Sequence, residues 1–426
     1  MNVQVIGHHP AASATQRPRP VGVRLAPLWV IVVFSNLPIY IFTFILPPLV
    51  PLYWLGALFV LTFLALSRVP PRERDYSPIF LAVLVGYAGI CLIWYVAQGG
   101  GEPALLRQRL LGVAVCAASY LVFATNPAAL HAARRALVAM VVLAVLVNAY
   151  DITHPFALIP ADSEFSIVGR AAGFFINPNQ AGAALVAGFT LSVGVVAPRW
   201  RPAYLVLVAI GVALTFSRAA ILGLVLVTFL LAFRGRSLSF RQVAAAVIVL
   251  ASVSWITWLL VAAELEDRFH IDPEVALDRV FWILDPSNRS DFSEWERLML
   301  LERGWEQFLG SPFLGNGLGS TELWEARSST HNEYVMQASD FGVLGLFVLP
   351  AFVLAAVGTQ RFALTDAAVT GLFLLFWGLF SHNILSEFYL LLTISLGCLL
   401  TGVCSMDAAE QWEPYAGKLH VRLCVQ

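Results

Sequence analysis

Long apolar runs separated by short polar links occupy most of the chain, a pattern typical of a helical membrane protein. A membrane-crossing helix needs roughly 20 apolar residues, and about 17–25 are tolerated. This rule predicts an all-α polytopic integral membrane protein with twelve spans: 26–46, 49–66, 79–98, 109–125, 136–152, 175–197, 203–216, 219–233, 242–262, 333–357, 365–381 and 384–403. The predicted segments are a tail at 1–25, spans one to nine at 26–262, a polar loop subdomain at 263–332, spans ten to twelve at 333–403, and a second tail at 404–426.

Two of these runs, 203–216 and 219–233, are short, yet together they exceed the length of one crossing. Ser217 and Arg218 lie between them. Because an arginine in the middle of a membrane is costly, we predict a break here that brings Arg218 to a membrane surface.

Composition supports the membrane assignment and excludes several other classes. Hydrophobic residues make up 59% of the chain and charged residues only 12%, whereas soluble globular proteins carry about 25% charged residues. The net charge of -1 gives no indication of a nucleic-acid partner. The five cysteines have neither a disulfide framework nor a metal-ligand spacing, and the chain contains no Asp-x-Asp motif. We therefore expect no metal and no cofactor.

The arginines predict which side of the membrane each loop occupies, since cytoplasmic loops carry an excess of basic residues. With a cytoplasmic N-terminus, every short inner loop is basic and both tails are cytoplasmic. The inner-loop arginines are Arg68, Arg72, Arg74, Arg134, Arg135, Arg199, Arg201, Arg234, Arg236, Arg241 and Arg361. This arrangement requires residues 203–233 to cross twice, and it makes 263–332 an outer loop.

The outer loop 263–332 holds 14 of the 27 acidic residues. Within it, residues 291–310 predict an amphipathic helix, with apolar side chains at helical spacing: Trp295, Leu298, Leu301, Trp305 and Phe308. The following SPFLGNGLGS contains Pro312 and several glycines, which end the helix in a tight loop. A helix on the membrane surface beside the glycine-rich loop suits a partly lipid-embedded site. The helix can also cap the mouth of the bundle, and the two interpretations are compatible.

The predicted orientation gathers scattered polar side chains on the outer face. They are Arg170, Asn177 and Asn179 before the sixth span, Arg218, Arg297 and Arg303, His331, Asn332 and Tyr334 at the tenth span, and His382. Guanidinium groups bind phosphate oxygens in a bidentate manner, and they neutralise a diphosphate as it leaves. A neutral imidazole can take the proton of an attacking hydroxyl. Together these residues indicate glycosyl transfer from a polyprenyl diphosphate.

Each of these residues also has a simpler structural interpretation. Arg218 can anchor its helix at the lipid headgroups, while Asn177 and Asn179 can cap the sixth helix around Pro178. The arginines of the amphipathic helix can pair with Glu294, Glu296 or Glu306 along it. His331 can be a polar residue at a helix start, and His382 has no evident partner in the sequence.

Gly342 lies eleven residues after His331, and eleven helical steps return to nearly the same helix face. A glycine there would let another helix approach closely. Asp340 lies between the two, and an aspartate facing lipid would be costly. We therefore expect Asp340 to face the interior of the bundle.

The chain resembles the O-antigen ligase family, which also includes O-antigen polymerases and pilin O-oligosaccharyltransferases. The resemblance covers roughly residues 165–345 and rests on four segments: His331-Asn332 with Gly342, Arg218 with Leu222 in SRAAIL, GFFINPNQAG, and ERLMLLERGWEQFLGSPFLGNGLG. Arg297 matches the arginine expected in the last of these. Asp340 departs from the family pattern, where relatives often carry glutamate.

The resemblance implies an enzyme of the bacterial inner membrane with a periplasmic active site. It would move O-antigen from undecaprenyl diphosphate to a sugar hydroxyl of lipid A-core, with inversion and without a metal. His331 would be the catalytic base, Arg218 and Arg297 would hold the diphosphate, and Arg170, Asn177 and Asn179 would line the donor site. The expected partners are this donor, this acceptor and membrane lipids.

Two alternatives remain open at this point. An O-antigen polymerase of the same family would join repeat units to one another. A flippase or other transporter of lipid-linked oligosaccharides would carry charged residues in mid-span and paired broken helices, whereas the polar residues here gather at one face. The sequence gives no indication of the oligomeric state.

Overall fold

The computed structural model describes residues 21–46, 51–66, 77–97, 102–124, 127–163, 165, 169–235, 237–261, 292–322, 324, 329–357 and 366–400. Within these ranges the chain is helical or forms loops and turns, and no β-strand occurs. The helices are α1 (Val21–Phe34), α2 (Leu37–Phe44), α3 (Pro51–Leu66), α4 (Pro78–Ala97), α5 (Pro103–Ala124), α6 (Pro127–Thr153), α7 (Pro178–Ser192), α8 (Arg201–Leu214), α9 (Arg218–Arg234), α10 (Phe240–Val261), α11 (Phe292–Gly310), α12 (Glu333–Phe341), α13 (Val348–Val357), α14 (Asp366–Trp377) and α15 (Phe388–Leu399). The predicted all-α fold is therefore confirmed for the described residues.

Four stretches are long and apolar enough to cross a membrane by themselves: Pro78–Ala97, Pro103–Ala124, Ala128–Thr153 and Glu333–Val357. A fifth crossing is possible if α1 and α2, which meet at a bend of 47°, form one broken span. Several other apolar helices, among them α14 and α15, are shorter than one full crossing. The count of twelve spans stays a prediction. Most of the predicted N-terminal tail, all of the predicted C-terminal tail and residues 263–291 of the loop subdomain lie outside the described residues.

The predicted break at Ser217 and Arg218 is present, because α8 ends at Leu214 and α9 begins at Arg218. Arg201 is the first residue of α8, and Ser237 lies just beyond the end of α9. The Arg201 guanidinium donates a 2.9 Å hydrogen bond to the carbonyl oxygen of Ser237. The start of α8 and the end of α9 therefore lie together, and the two helices run antiparallel across the bundle.

Basic residues gather at that end of the bundle, which we call the basic end. Asp366 forms an ion pair with Arg234 and lies 3.9 Å from the guanidinium of Arg134. Arg134 is buried, and it also donates to the carbonyl oxygen of Leu191 over 2.8 Å. These arginines and Arg201 all belong to the loops that the charge pattern assigned to one side. Which side of the membrane this end faces stays a prediction.

The opposite end, which we call the site end, holds the start of α7, the break before α9 and the turn between α14 and α15. The helix α14 begins at Asp366 in the basic end, so its last residues reach the site end, where α9 packs against it. Gly223 of α9 allows this approach, since a Cβ there would lie 3.2 Å from the ring of Phe373. The start of α12 joins this end through a backbone hydrogen bond from Glu333 to Gly378, 2.8 Å long.

The amphipathic helix predicted at residues 291–310 is present as α11. Its buried side chains include Leu300 and Phe308, and it packs against α12. Gly304 allows this contact, since a Cβ there would lie 2.9 Å from the Val335 side chain of α12. The predicted apolar face is only partly buried, because Trp295, Leu298 and Trp305 are exposed while Phe308 is buried. Helix α11 thus has one apolar side against the protein and leaves two tryptophans at the surface.

Candidate active site

His331 lies immediately before α12 and has a positive φ of 51°. Asn332 is the N-cap of the helix, and its side chain accepts a hydrogen bond from the N–H of Val335 over 3.1 Å. The helix then ends at Phe341, and Gly342 has a φ of 67°. The prediction that His331 and Gly342 share one face of a continuous helix is therefore wrong, because residues with positive φ do not continue a right-handed helix.

Gly342 has a different structural role from the one predicted, since its close neighbour is a loop and not another helix. A Cβ at this position would lie 2.5 Å from the carbonyl oxygen of Phe313. Next to it, the N–H of Val343 donates to the carbonyl oxygen of Pro312 over 2.7 Å. The glycine-rich loop after α11 therefore packs directly on the end of α12.

Asp340 holds the same loop from the inside of the protein. It is fully buried, which confirms the prediction that it faces the interior. Its carboxylate accepts hydrogen bonds from the N–H groups of Gly319 and Ser320, at 3.0 and 2.9 Å, and from the Ser320 hydroxyl at 2.9 Å. A carboxylate with several donors is well satisfied in a buried position, so Asp340 is a structural residue of the loop.

His331 and His382 form an imidazole pair. Their ring centroids are 5.2 Å apart and their planes meet at 75°, an edge-to-face contact. Burial, and to a smaller extent the positive charge of Arg297, together lower the pKa of His331 from 6.5 to about 4. Burial, with smaller contributions from His331 and Arg109, lowers the pKa of His382 to about 3. Both imidazoles are therefore neutral at pH 7 and can accept protons or hydrogen bonds.

The turn that carries His382, residues 378–387, is fixed to the start of α12 by side chains as well as by the backbone. The Glu333 carboxylate accepts the N–H of Ile384 over 2.9 Å. The Asn332 amide donates to the carbonyl oxygen of Leu379 over 3.3 Å. These contacts hold His382 against His331 although the two are 51 positions apart.

The predicted donor-site residues also lie together. Arg170 donates through Nε to the carbonyl oxygen of Thr215 and through Nη2 to Asn179 Oδ1, each at 3.0 Å. Asn177 is the N-cap of α7 and accepts the N–H of Asn179 over 2.8 Å. Its capping role is therefore present, and Arg170 is held beside the break that precedes Arg218.

One hydrogen bond links the donor-site group to the turn of the imidazole pair. Gln180, in the first turn of α7, donates to the carboxylate of Glu387 at the start of α15. Arg218 is half-buried at the first position of α9, near the Arg170 contact with Thr215. The site end therefore contains both sets of residues that the sequence analysis selected for substrate binding and catalysis.

Two predicted site residues have mainly structural contacts. The Arg303 guanidinium lies over the indole of Trp324, 4.6 Å from the ring centroid. The Tyr334 hydroxyl donates to the carbonyl oxygen of Leu375 over 2.8 Å, which fixes α12 to α14. No substrate-binding contact is indicated by these geometries, and the binding roles of both residues stay predictions.

The sequence analysis missed Arg109, whose side chain is almost completely buried in α5. Its guanidinium forms an ion pair with Glu322, close to the Met336 sulfur at 3.6 Å. The carboxylates of Glu333 and Asp340 also lie within electrostatic reach. An arginine at the start of an apolar run is costly without a partner, and this signal could have identified Arg109 as a paired, interior arginine.

The long apolar helices are typical of a helical membrane protein, and its candidate site is a group of polar residues, arginines among them, at one end of the bundle. Residues 203–350, about a third of the chain, match the family model described as O-antigen ligase. The matched region includes Arg218, Arg297 and His331. This match supports the resemblance to the O-antigen ligase family that the sequence motifs indicated.

Members of this family are glycosyltransferase-like enzymes of lipopolysaccharide and glycan assembly, which act in general on lipid-linked glycans and acceptors. The family and the apolar helices together indicate a multi-pass membrane protein. No curated protein matches the chain.

Proposed function

We propose that this protein is an O-antigen ligase. It transfers O-antigen from undecaprenyl diphosphate to a sugar hydroxyl of lipid A-core at the periplasmic face of the bacterial inner membrane. The observation that carries the proposal is the environment of His331, a neutral imidazole held beside a second imidazole and the charge of Arg297. The family match over residues 203–350 supports the reaction class.

In the proposed reaction, the acceptor hydroxyl oxygen attacks the anomeric carbon of the donor sugar. The proton of the hydroxyl passes to a ring nitrogen of His331, which acts as general base. The bond between the anomeric carbon and the diphosphate oxygen breaks, and the diphosphate leaves with the electron pair. Attack from the face opposite the leaving group inverts the anomeric carbon.

The leaving diphosphate gains negative charge as its bond to the sugar breaks, so nearby cations stabilise the transition state. Arg218 and Arg297 have this role in our proposal. Arg170 orients Asn179, and together with Asn177 they line the donor side. The reaction requires neither a metal nor a nucleotide cofactor, and we expect full turnover in the presence of excess chelator.

The direct test is reconstitution of the purified protein with undecaprenyl diphosphate-linked glycan and lipid A-core. Ligated lipopolysaccharide is the expected product. Longer lipid-linked glycan would instead indicate the polymerase, and glycan movement across liposomes without any chemistry would indicate a transporter. A strict requirement for Mg²⁺ would contradict the metal-independent mechanism.

The matched variants are His331→Ala and His131→Ala. His131 is exposed in the first turns of α6, close to the basic end and away from the site. Loss of a general base costs about 10²–10⁴ in rate, so we expect this loss for His331→Ala only. Wild-type turnover in His331→Ala would remove the base assignment, and an equal loss in His131→Ala would indicate a nonspecific effect.

A further inference from the structure

His382 carries a buried ring nitrogen that the proposed mechanism does not use. Its Nδ1 atom is shielded from solvent and has no hydrogen-bond partner among the described residues. Buried polar atoms in native proteins nearly always have a partner, and leaving one without a partner is unfavourable. Since this atom lies within a candidate site, a bound substrate is a suitable source of the missing partner.

The position of His382 restricts what that substrate group can be. The ring is in edge-to-face contact with His331, at a centroid distance of 5.2 Å. A molecule that presents a hydroxyl to His331 therefore also comes close to His382. The ring of His382 contacts the ring of His331, which receives the acceptor's proton in the proposed mechanism, whereas Arg170 and Asn179 of the proposed donor side contact each other. We therefore assign His382 to the acceptor side of His331.

A sugar hydroxyl matches this nitrogen chemically. Burial has the largest effect on the pKa of His382, and the nearby His331 and Arg109 have smaller ones. Together they lower this pKa to about 3, so the ring is neutral at pH 7. In a neutral imidazole, Nδ1 is either a donor or an acceptor, depending on the tautomer. A hydroxyl can both donate and accept, so it would satisfy Nδ1 in either tautomer, whereas a phosphate oxygen could only accept.

We propose that His382 is a specificity-determining residue that binds a second hydroxyl of the acceptor sugar, next to the hydroxyl that His331 activates. The enzyme then selects acceptor sugars that present two neighbouring hydroxyls. This inference rests on the proposed transferase function and deepens it, because it assigns the acceptor chemistry to one atom of the site.

The turn that holds His382 is suited to this role because its position is independent of the substrate. Three hydrogen bonds fix the turn to the start of α12, through Glu333 and Asn332. A binding group that is already in place loses little conformational entropy when the substrate arrives. The contact should therefore contribute to acceptor affinity and selectivity more than to the chemical step.

The test compares His382→Ala with the wild-type enzyme by steady-state kinetics, using lipid A-core and the matching acceptors that lack one hydroxyl next to the attacking one. We expect KM for the natural acceptor to rise about tenfold in His382→Ala, the factor that one lost hydrogen bond supplies, with kcat nearly unchanged. The deoxy acceptor should be poor for the wild type, and the variant should discriminate little between the two acceptors.

Further variants separate binding from folding. In His382→Asn, the amide can reach the position of Nδ1, so we expect partial recovery of acceptor affinity, while His131→Ala should behave as wild type. Thermal unfolding should match wild type in all three.

Three outcomes would overturn the assignment of His382: unchanged acceptor KM in His382→Ala, a fall in kcat alone, or full retention of discrimination against the deoxy acceptor. Absence of any transfer by the wild type would overturn the proposed function, and this inference with it. Normal wild-type transfer with any of the three outcomes above would overturn only the role of His382.

Discussion

Replacement of Gly342 by alanine should destabilise the site end strongly, for two separate reasons. The backbone there has φ 67° and ψ -152°, a conformation that glycine adopts almost exclusively, and other residues in such regions cost about 1–3 kcal/mol. The added Cβ would also lie 2.5 Å from the Phe313 carbonyl oxygen and 2.8 Å from that of Pro312. Overpacking of this kind costs about 1–3 kcal/mol. We therefore expect a loss of about 2–6 kcal/mol in the free energy of unfolding.

Two other glycines provide matched controls for this variant. Gly235 has a positive φ of 70°, but a Cβ there would meet nothing within 4 Å. Its replacement by alanine should cost only the left-handed backbone strain, about 1–2 kcal/mol. Gly310 has neither a positive φ nor a close neighbour, and its replacement should have almost no effect.

The assay is thermal unfolding of each purified variant in detergent, followed by glycan transfer at a temperature well below the lowest melting point. The expected order of stability is Gly310→Ala, then Gly235→Ala, then Gly342→Ala. Transfer should fall only in Gly342→Ala, because the loop that packs on Gly342 holds the end of α12, the helix that follows His331. Equal melting points for Gly342→Ala and Gly310→Ala would refute the proposed contact between the loop and α12.

Three further predictions follow from the site. Since the pKa of His331 is lowered to about 4, the imidazole is neutral above that pH. We therefore expect kcat/KM to stay level as the pH falls through 6.5 and to decline only near pH 4. An inflection of the pH profile near 6.5 would contradict the buried environment of His331. Arg218→Ala should weaken donor binding about 10- to 100-fold, as expected for hydrogen bonds to a charged group, and Arg218→Lys should recover part of the affinity. The control Arg199→Ala, at an exposed arginine, should leave donor affinity unchanged. An unchanged donor affinity in Arg218→Ala would remove the diphosphate role of Arg218. Arg109→Met should lower the free energy of unfolding by about 3–5 kcal/mol because it leaves buried carboxylates without their cation. The double variant Arg109→Met with Glu322→Gln should recover part of this lost stability. A melting point of Arg109→Met equal to that of the wild type would disprove the pairing.

Much of the helical architecture could be predicted from the sequence, because apolar runs and helix-ending residues act locally. The break before Arg218 is one example, since an arginine between two short apolar runs is stable only where it can leave the membrane interior. The amphipathic α11 is another, as the spacing of its apolar side chains is a property of one helix. Its buried side was less predictable, because Trp295 and Trp305 have the same spacing as residues that pack on α12.

The sequence selected the residues of the candidate site but did not predict their geometry. The helical spacing between His331 and Gly342 suggested a shared face, yet positive φ values at both residues end the helix between them. Spacing along the chain could not reveal that Gly342 contacts the loop at Phe313. That contact forms because Asp340 holds the far part of the same loop.

The sequence by itself determined the apolar helices, the break at Arg218, the interior position of Asp340 and the family motifs around His331. Each of these follows from hydrophobicity, charge or spacing over a few turns of chain. Only the tertiary structure decided that His382 contacts His331 and that Arg109 pairs with Glu322, 213 positions away. Such contacts depend on which helices pack together, and the free energy of that packing comes from the whole bundle and not from any one segment of sequence.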